Sequence, residues 1–310
     1  MKYLVTGGLG FVGNELVRQL LDANNEVIVL DNCSGIATDI SDIVDKIKLY
    51  QSDITVFEQV HSCISQEKPD VVIHLAAMHF IPHCNQYPLK TQAVNVTGTM
   101  HILESCSINN ITNCAILSSG SIYGDSDTWL DEDTSPIKIF DVYSHSKLAV
   151  ENLCKLYALR NPETLYHIVR LFNVYGPRET NPHIIPEIIN QLKQGDTLDL
   201  GNIEPRRDFI YVKDAAAGII AITGRKVGNA LETINLCSGV DYSMKDIINI
   251  IGDLTGRKIT IYSNPVKYRV QDKLFQKGSI NKLETTGGFK CNYNIRLGLS
   301  ELLQFENIIK

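Results

Sequence analysis

Lys2-Tyr3-Leu4-Val5-Thr6-Gly7-Gly8-Leu9-Gly10-Phe11-Val12-Gly13 follows the first methionine, and the fold is decided there. A short apolar run of strand length meets glycines at 7, 10 and 13, and apolar residues at helical spacing follow over Glu15–Ala23. Each glycine has a physical task. Gly7 permits a tight turn, Gly10 lets backbone approach a pyrophosphate, and Gly13 lets the helix pack close to the strand. The N-terminus of that helix then faces negative charge. A glycine triplet alone is weak evidence, but this one has a strand before it and a helix after it.

The next strand, Glu26–Leu30, ends in Asp31. That is about 20 residues beyond the glycines, where a carboxylate can hold an adenosine ribose 2′-hydroxyl. The same carboxylate repels a 2′-phosphate, and no arginine follows closely, so the cofactor expected is NAD rather than NADP. Asp31 read alone is an ordinary turn or capping residue; the combination carries the dinucleotide reading.

Strand and helix go on alternating. Lys48–Gln51, Val71–Leu75, Cys114–Ser118 and Tyr166–Leu171 have strand character. Val56–Ser65, Val94–Asn109 and Tyr143–Arg160 have helix character. This order predicts a parallel sheet covered by helices on both faces, a doubly wound α/β fold. After residue 173 the pattern changes. Pro177, Pro182 and Pro186 punctuate the chain, Ile184–Lys193 reads as helix, and Arg206–Ile222 returns to strand-then-helix. Met244–Leu254 and Gly298–Leu303 read as helices and Ile259–Tyr262 as a strand. With no linker rich in Gly, Ser or Pro, a smaller mixed α/β lobe packed on the first is expected, with a cleft between them.

Composition narrows the classes of function. The 310 residues are 44% hydrophobic and 21% charged, ordinary for a globular chain with a full core. A net charge of −6 gives no support to nucleic-acid or membrane-surface binding. No apolar run approaches the roughly 20 residues that span a bilayer. The first residues lack the long apolar stretch of a signal peptide, which leads to the expectation of a cytoplasmic protein. The eight cysteines form no Cys-x-x-Cys pair and are expected as free thiols. His79, His83 and Cys84 cluster without the spacing or fourth ligand of a zinc site, so no metal is expected.

Tyr143 and Lys147 stand four apart at the opening of a helix, on one face. A lysine ammonium beside a tyrosine lowers the phenol pKa by stabilising the phenolate. Such a tyrosine can remove a hydroxyl proton while hydride leaves the same carbon. Upstream, the strand Cys114–Leu117 runs into Ser118-Ser119-Gly120-Ser121-Ile122-Tyr123-Gly124. In a doubly wound sheet this carboxyl end faces the ligand crevice, where a serine can bond the reacting oxygen. Tyr-x-x-x-Lys is frequent by chance, and small polar residues are common in turns; their joint occurrence is the signal.

These motifs occur in series with His74-Leu75-Ala76-Ala77, Asn95-Val96-x-Gly98-Thr99, Arg170-Leu171-Phe172-Asn173-Val174-Tyr175-Gly176-Pro177-Arg178 and Arg207-Asp208-Phe209-Ile210-Tyr211-Val212-Lys213-Asp214. Over nearly its whole length the chain resembles the NAD-dependent epimerase/dehydratase family of extended short-chain dehydrogenases. The resemblance implies a Rossmann domain over 1–172, with 206–236 returning to it, and a nucleotide-sugar lobe from 173–205 and 237–310. It implies NAD held by Gly7, Gly10, Phe11, Val12, Gly13, Asp31, Asn32, Asp53, Ile54, Leu75, Ala76, Ala77 and Asn95, together with Tyr143 and Lys147. Asp53 and Ile54 would flank the adenine. Ser119 would act with Tyr143 and Lys147 on the sugar. His79 and Ser121 would line the substrate site, and Asn173, Arg207 and Arg269 would hold its diphosphate. Guanidinium forks suit phosphate oxygens, although an isolated arginine is as readily a surface ion pair.

Relatives that eliminate water place carboxylates between the active serine or threonine and the Tyr-Gly, because the leaving hydroxyl needs an acid. Here those positions are Gly120 and Ser121. The expectation is therefore a 4-epimerase for a nucleotide sugar, UDP- or GDP-linked, acting through a transient 4-keto sugar. A 4-dehydrogenase, a 4-keto reductase or a dehydratase of the same family is the alternative, and a non-catalytic NAD-binding regulator is the alternative of another class. His79 stands where the 4-epimerases commonly have lysine, which points to a different sugar. A homodimer through the Val94–Asn109 and Tyr143–Arg160 helices is expected from the resemblance.

Overall fold

The computed structural model describes residues 1–35, 40–225, 230–268 and 273–310. Its strands are β1 (Lys2–Thr6), β2 (Glu26–Asp31), β3 (Lys48–Gln51), β4 (Val71–His74), β5 (Asn113–Ser119), β6 (Leu165–Leu171), β7 (Asn173–Tyr175), β8 (Thr197–Leu200), β9 (Arg206–Tyr211), β10 (Leu231–Leu236), β11 (Asp241–Ser243), β12 (Thr260–Ser263) and β13 (Phe275–Gln276). Seven of them form one parallel sheet in the order β10-β6-β5-β4-β1-β2-β3. The chain turns outward in both directions from β1 and β4. That reversal leaves a crevice at the carboxyl ends of these two strands, the place where doubly wound sheets bind ligands.

The strands bury both faces, which is why they read as continuous apolar runs. Tyr3 and Val5 of β1 pack beneath Leu16, Val17 and Leu20 of the helix Phe11–Asp22 and Ala215, Ala216 and Ile219 of Val212–Thr223. Leu4 faces the other way, into a core closed by the helices Phe57–Glu67, Gly98–Ile108 and Val142–Arg160. The helix read as Val94–Asn109 begins with a wide π-type turn over Ala93–Thr97 and continues as Gly98–Ile108.

The second lobe is built on β9, paired with β11 on one side and β13 on the other, and with β7 along its later half. β8 and β12 form a separate parallel pair. The helices Ile184–Leu192, Met244–Thr255 and Ile295–Phe305 pack on these strands through Ile188, Ile247, Ile251 and Leu299. A Ser243–Asp246 capping box starts Met244–Thr255, and Gly256 in the left-handed region (φ 66°) stops it. Of the stretch 206–236, Val212–Thr223 and β10 return to the first sheet. β9 does not, because its backbone is committed to β7, β11 and β13. No described helix is long and apolar enough to cross a membrane.

Candidate active site

A cleft of about 950 Å³ lies along the crevice and continues between the lobes. That is the upper end of the range for small-molecule sites, roughly 300–1,000 Å³. The glycine turn closes one wall. Gly7 is in the left-handed region (φ 68°), and a Cβ there would stand 2.8 Å from the Ala76 nitrogen. A Cβ at Gly13 would collide with the Gly7 carbonyl. Gly10 caps the helix Phe11–Asp22 and has no side chain to bond its first N–H groups, so these remain available to an anion. The turn thus fits a dinucleotide pyrophosphate.

The structure brings most of the expected cofactor residues to this cleft. Gly7, Gly10, Phe11, Val12, Gly13, Asp31, Asn32, Asp53, Ile54, Leu75, Ala76 and Ala77 all line it. Asp31 also holds the glycine loop: its carboxylate accepts the Leu9 N–H at 3.0 Å and the Cys33 N–H at 2.8 Å. Asn32 accepts from the Ser34 backbone and hydroxyl, and Asp53 from those of Thr55. Asn95 is placed differently. It is buried in the π-type turn; its Oδ1 accepts the Met78 N–H at 2.8 Å, and its amide donates to the Met78 carbonyl and the Ser146 hydroxyl, both at 2.9 Å. It fixes the segment that lines the cleft without lining it.

Tyr143, Ser119, Ser121 and Lys147 meet at the end of the cleft beneath β5. The helix that carries Tyr143 and Lys147 is started by Asp141, whose carboxylate accepts the Ser144 N–H at 2.7 Å. Lys147 is buried; its ammonium donates to the Leu117 carbonyl at 2.7 Å and stands 5.9 Å from the centre of the Tyr143 ring. Burial depresses its pKa to about 8, against weaker opposition from Cys84, Cys154 and Glu151. Burial also raises the Tyr143 phenol, to about 12, while a hydrogen bond with Ser119 works to lower it. Lys147 sits beside Tyr143, and in the protein alone desolvation of the phenolate dominates. Ser119 itself accepts the Ser121 N–H at 3.1 Å, and the Ser121 hydroxyl is buried without a partner.

Behind these groups lies an ion pair that sequence reasoning passed over. Arg170 donates two 2.9 Å hydrogen bonds to the two oxygens of Glu151, both side chains being buried. Ser118 donates to Glu151 at 2.6 Å, and Arg170 to the Tyr123 hydroxyl at 2.7 Å. The network ties β5, β6 and the Tyr143 helix together. Arg170 was visible as a motif residue, but nothing in the spacing names Glu151 as its partner.

The substrate-side residues are only partly gathered. His79, Asn173 and Arg207 line the cleft, and Arg269 lies outside the described residues. The Asn173 amide donates to the Asp208 carbonyl at 3.2 Å, and the Arg207 guanidinium to the Arg206 carbonyl at 2.8 Å. Glu179, Asn181, His183 and Gln276 also line the cleft and were not singled out by sequence. They lie in irregular or very short segments, where no periodicity marks them. Burial alone would raise the Glu179 carboxyl, but the hydrogen bond and charge of His183 outweigh it and hold Glu179 below its ordinary range. Near the mouth, the His83 ring touches Phe80 and Tyr87, and the Cys84 thiol donates to the Met78 carbonyl at 3.5 Å. Among the described residues no three or more His, Cys, Asp or Glu side chains are grouped to hold a metal, and all eight cysteines are free thiols.

A crevice with a glycine turn open to an anion at one end and a Tyr-Lys-Ser set at the other has the form of a dinucleotide-dependent oxidoreduction site. The NAD dependent epimerase/dehydratase family matches residues 3–237, and the chain belongs to it. Its cofactor is accordingly NAD. It is 31% identical to the GDP-6-deoxy-D-talose 4-dehydrogenase of Aggregatibacter actinomycetemcomitans, over 91% of this chain and 90% of that one. It is 30% identical to the UDP-glucose 4-epimerase of Lacticaseibacillus casei, over 95% and 93%. In structure it is similar to the UDP-glucose 4-epimerase of Thermus thermophilus in complex with NAD, with a TM-score of 0.87 at 25% identity, covering 99% of both chains.

Proposed function

We propose that the protein is a nucleotide-sugar 4-epimerase that works through a transient 4-keto sugar. Bound NAD supplies the hydride acceptor and, in return, the hydride donor. Tyr143 as phenolate takes the proton from the C4 hydroxyl, and as phenol it gives the proton back. Lys147 stabilises the phenolate by charge, and Ser119 holds the same oxygen by hydrogen bond. Asn173 and Arg207, with Arg269, hold a UDP- or GDP-linked diphosphate, and Ser121 offers its unpaired hydroxyl to the sugar. The observation that carries the reaction type is the segment between Ser119 and Tyr123. Gly120 and Ser121 stand there, and neither is an acid that can protonate a leaving hydroxyl. The nearby Glu179 carboxyl is held below its ordinary range by His183, which disfavours the protonated form that such an acid needs. Without elimination, the course proposed for the rotated keto sugar is return of hydride to its other face.

A second reading is the half-cycle alone, oxidation at C4 with release of the keto sugar or its reduction. It is favoured by the likeness to a protein named as a GDP-6-deoxy-D-talose 4-dehydrogenase. Incubation with a panel of UDP-, GDP-, dTDP- and CDP-sugars, read by proton NMR and mass spectrometry, separates the two. Inversion at C4 with unchanged mass supports the epimerase, and loss of two hydrogens supports the dehydrogenase. We further propose a homodimer through Gly98–Ile108 and Val142–Arg160, whose outer faces expose Met100, Ile108, Leu156 and Leu159.

A further inference from the structure

β4 lies between β5, which carries Ser119, and β1, which carries the glycine turn. The segment after it, Leu75–Phe80, therefore runs over the middle of the cleft, between Asp31 and Tyr143. Asn95 pins its Met78 from both sides. The next residue, His79, leaves the nucleotide domain and meets the other lobe. Its Nε2 lies 3.0 Å from the amide nitrogen of Asn181, in the loop before the helix Ile184–Leu192. Beside it the rings of Phe80 and His183 stand 5.7 Å apart, and those of His79 and His183 6.1 Å. His79, Phe80, Asn181 and His183 all line the cleft.

The geometry fixes which way this contact is made. Glu179 accepts the Asn181 backbone N–H at 3.0 Å, and the same carboxylate oxygen lies 3.5 Å from the Asn181 side-chain nitrogen. A carboxylate faces an NH₂ group and not a carbonyl, so the amide presents N–H to His79 as well. His79 Nε2 is then the acceptor. Glu179 is itself set by His183, whose Nδ1 is 3.5 Å away. Gln276 already ties the lobes at the Ser119 end of the cleft, through its bond to the Gly120 carbonyl at 2.7 Å. The His79–Asn181 hydrogen bond is a separate, directed tie to the loop before Ile184–Leu192, supported by ring contacts, and that loop is preset by Glu179.

Epimerisation needs such a closure. The hydride removed from C4 returns to the same sugar, so the reduced cofactor must stay while the keto sugar turns. We infer that the His79–Asn181 contact is a latch that retains the dinucleotide through both half-reactions, and that its opening is a step in cofactor exchange. The inference rests on the 4-epimerase reading for its purpose, but its test requires no sugar. His79 and Asn181 act here as positioning residues, through the contact they make with each other.

The test is release of NADH. Cofactor-loaded enzyme is mixed with excess NAD in a stopped-flow instrument, and the fluorescence of bound NADH is followed. Loss of one hydrogen bond of ordinary strength predicts release about five-fold faster in His79→Phe and in Asn181→Ala. The double variant should be no faster than either single one, because both remove the same bond. His79→Gln, which keeps an acceptor, should stay close to wild type. Thermal melting of the cofactor-free forms shows that each variant is folded, and the Gln variant separates lost bonding from lost shape. Release at the wild-type rate in both single variants, multiplied effects in the double, or a Gln variant as fast as Phe would each overturn the latch. Failure of the sugar panel to give C4 inversion would leave these rates, and so the latch, intact.

Discussion

The Lys147 ammonium faces the Tyr143 ring at 5.9 Å while its hydrogen bond goes to the Leu117 carbonyl. The lysine is thus placed beside the tyrosine without bonding it, and the proposed role of the pair rests on that placement. Tyr143→Phe should lower kcat about 10²–10⁴-fold, the usual contribution of a general acid–base group. It should leave NAD affinity within a few-fold of wild type. Steady-state kinetics and calorimetric titration of NAD check the two halves. A variant with near-normal kcat would remove Tyr143 from the chemistry.

The depressed pKa of Lys147 has a consequence for stability. Its folded value is about 8, and its unfolded value is about 10.4. Between these two values the unfolded chain binds a proton that the folded chain does not, so this group makes stability rise with pH there, and below pH 8 the whole penalty remains. Lys147→Met should therefore abolish turnover and yet stabilise the cofactor-free protein at pH 7, by about 1–3 kcal/mol. Urea unfolding measures it. A destabilised Met variant would show that the bond to Leu117 matters more than the buried charge costs.

The Glu151–Arg170 pair predicts the opposite behaviour. Removing one partner of a buried pair strands the other charge, at a cost of about 3–5 kcal/mol. Glu151→Gln should lose stability on that scale in urea titrations, while the joint Glu151→Leu, Arg170→Met variant should recover much of the loss. Equal losses in both would mean that shape, not charge, holds β5 and β6 to the catalytic helix.

Asp31→Ala should weaken NAD binding at least ten-fold, about 1.4 kcal/mol or more. It removes the candidate ribose contact, and it also frees the Leu9 and Cys33 N–H groups that hold the glycine loop. The preference for NAD over NADP should shrink at the same time, since the repelling carboxylate is gone. Titration with both cofactors decides the point, and unchanged NAD affinity would sink the assignment of Asp31.

Leu159 is 81% exposed and Leu156 58% on the outer face of the catalytic helix. If two copies meet there, Leu159→Glu should shift sedimentation from dimer to monomer. A wild-type protein that already sediments as a monomer would end the proposal.

What the sequence made legible follows from how local each signal is. The glycine turn, Asp31 and the Tyr143–Lys147 pair are set by spacing within one strand–turn or one helix, and each of them lines the cleft. The parallel, doubly wound sheet follows from the alternation of strand and helix, but β10 is not read as a strand, and β9 looks like part of the sheet because strand-then-helix recurs there. Its partners β11 and β13 are short and distant in sequence, and pairing of that kind leaves no periodic mark. The high pKa of Tyr143 was not foreseeable either, since Tyr-x-x-x-Lys shows the nearby charge and not the burial. Glu151 and the Glu179–Asn181–His183 loop are likewise products of tertiary contact.

The most direct test of the account is the fate of the C4 hydrogen. The sugar nucleotide selected by the panel is prepared with deuterium at C4 and incubated with the enzyme and with unlabelled NAD and NADH in the medium. The account predicts C4-inverted product that retains its deuterium, with none in the free cofactor. Deuterium appearing in free NADH, with keto sugar released, would contradict the epimerase reading and establish the half-cycle, and a product lighter by one water would show an elimination for which Gly120 and Ser121 provide no acid.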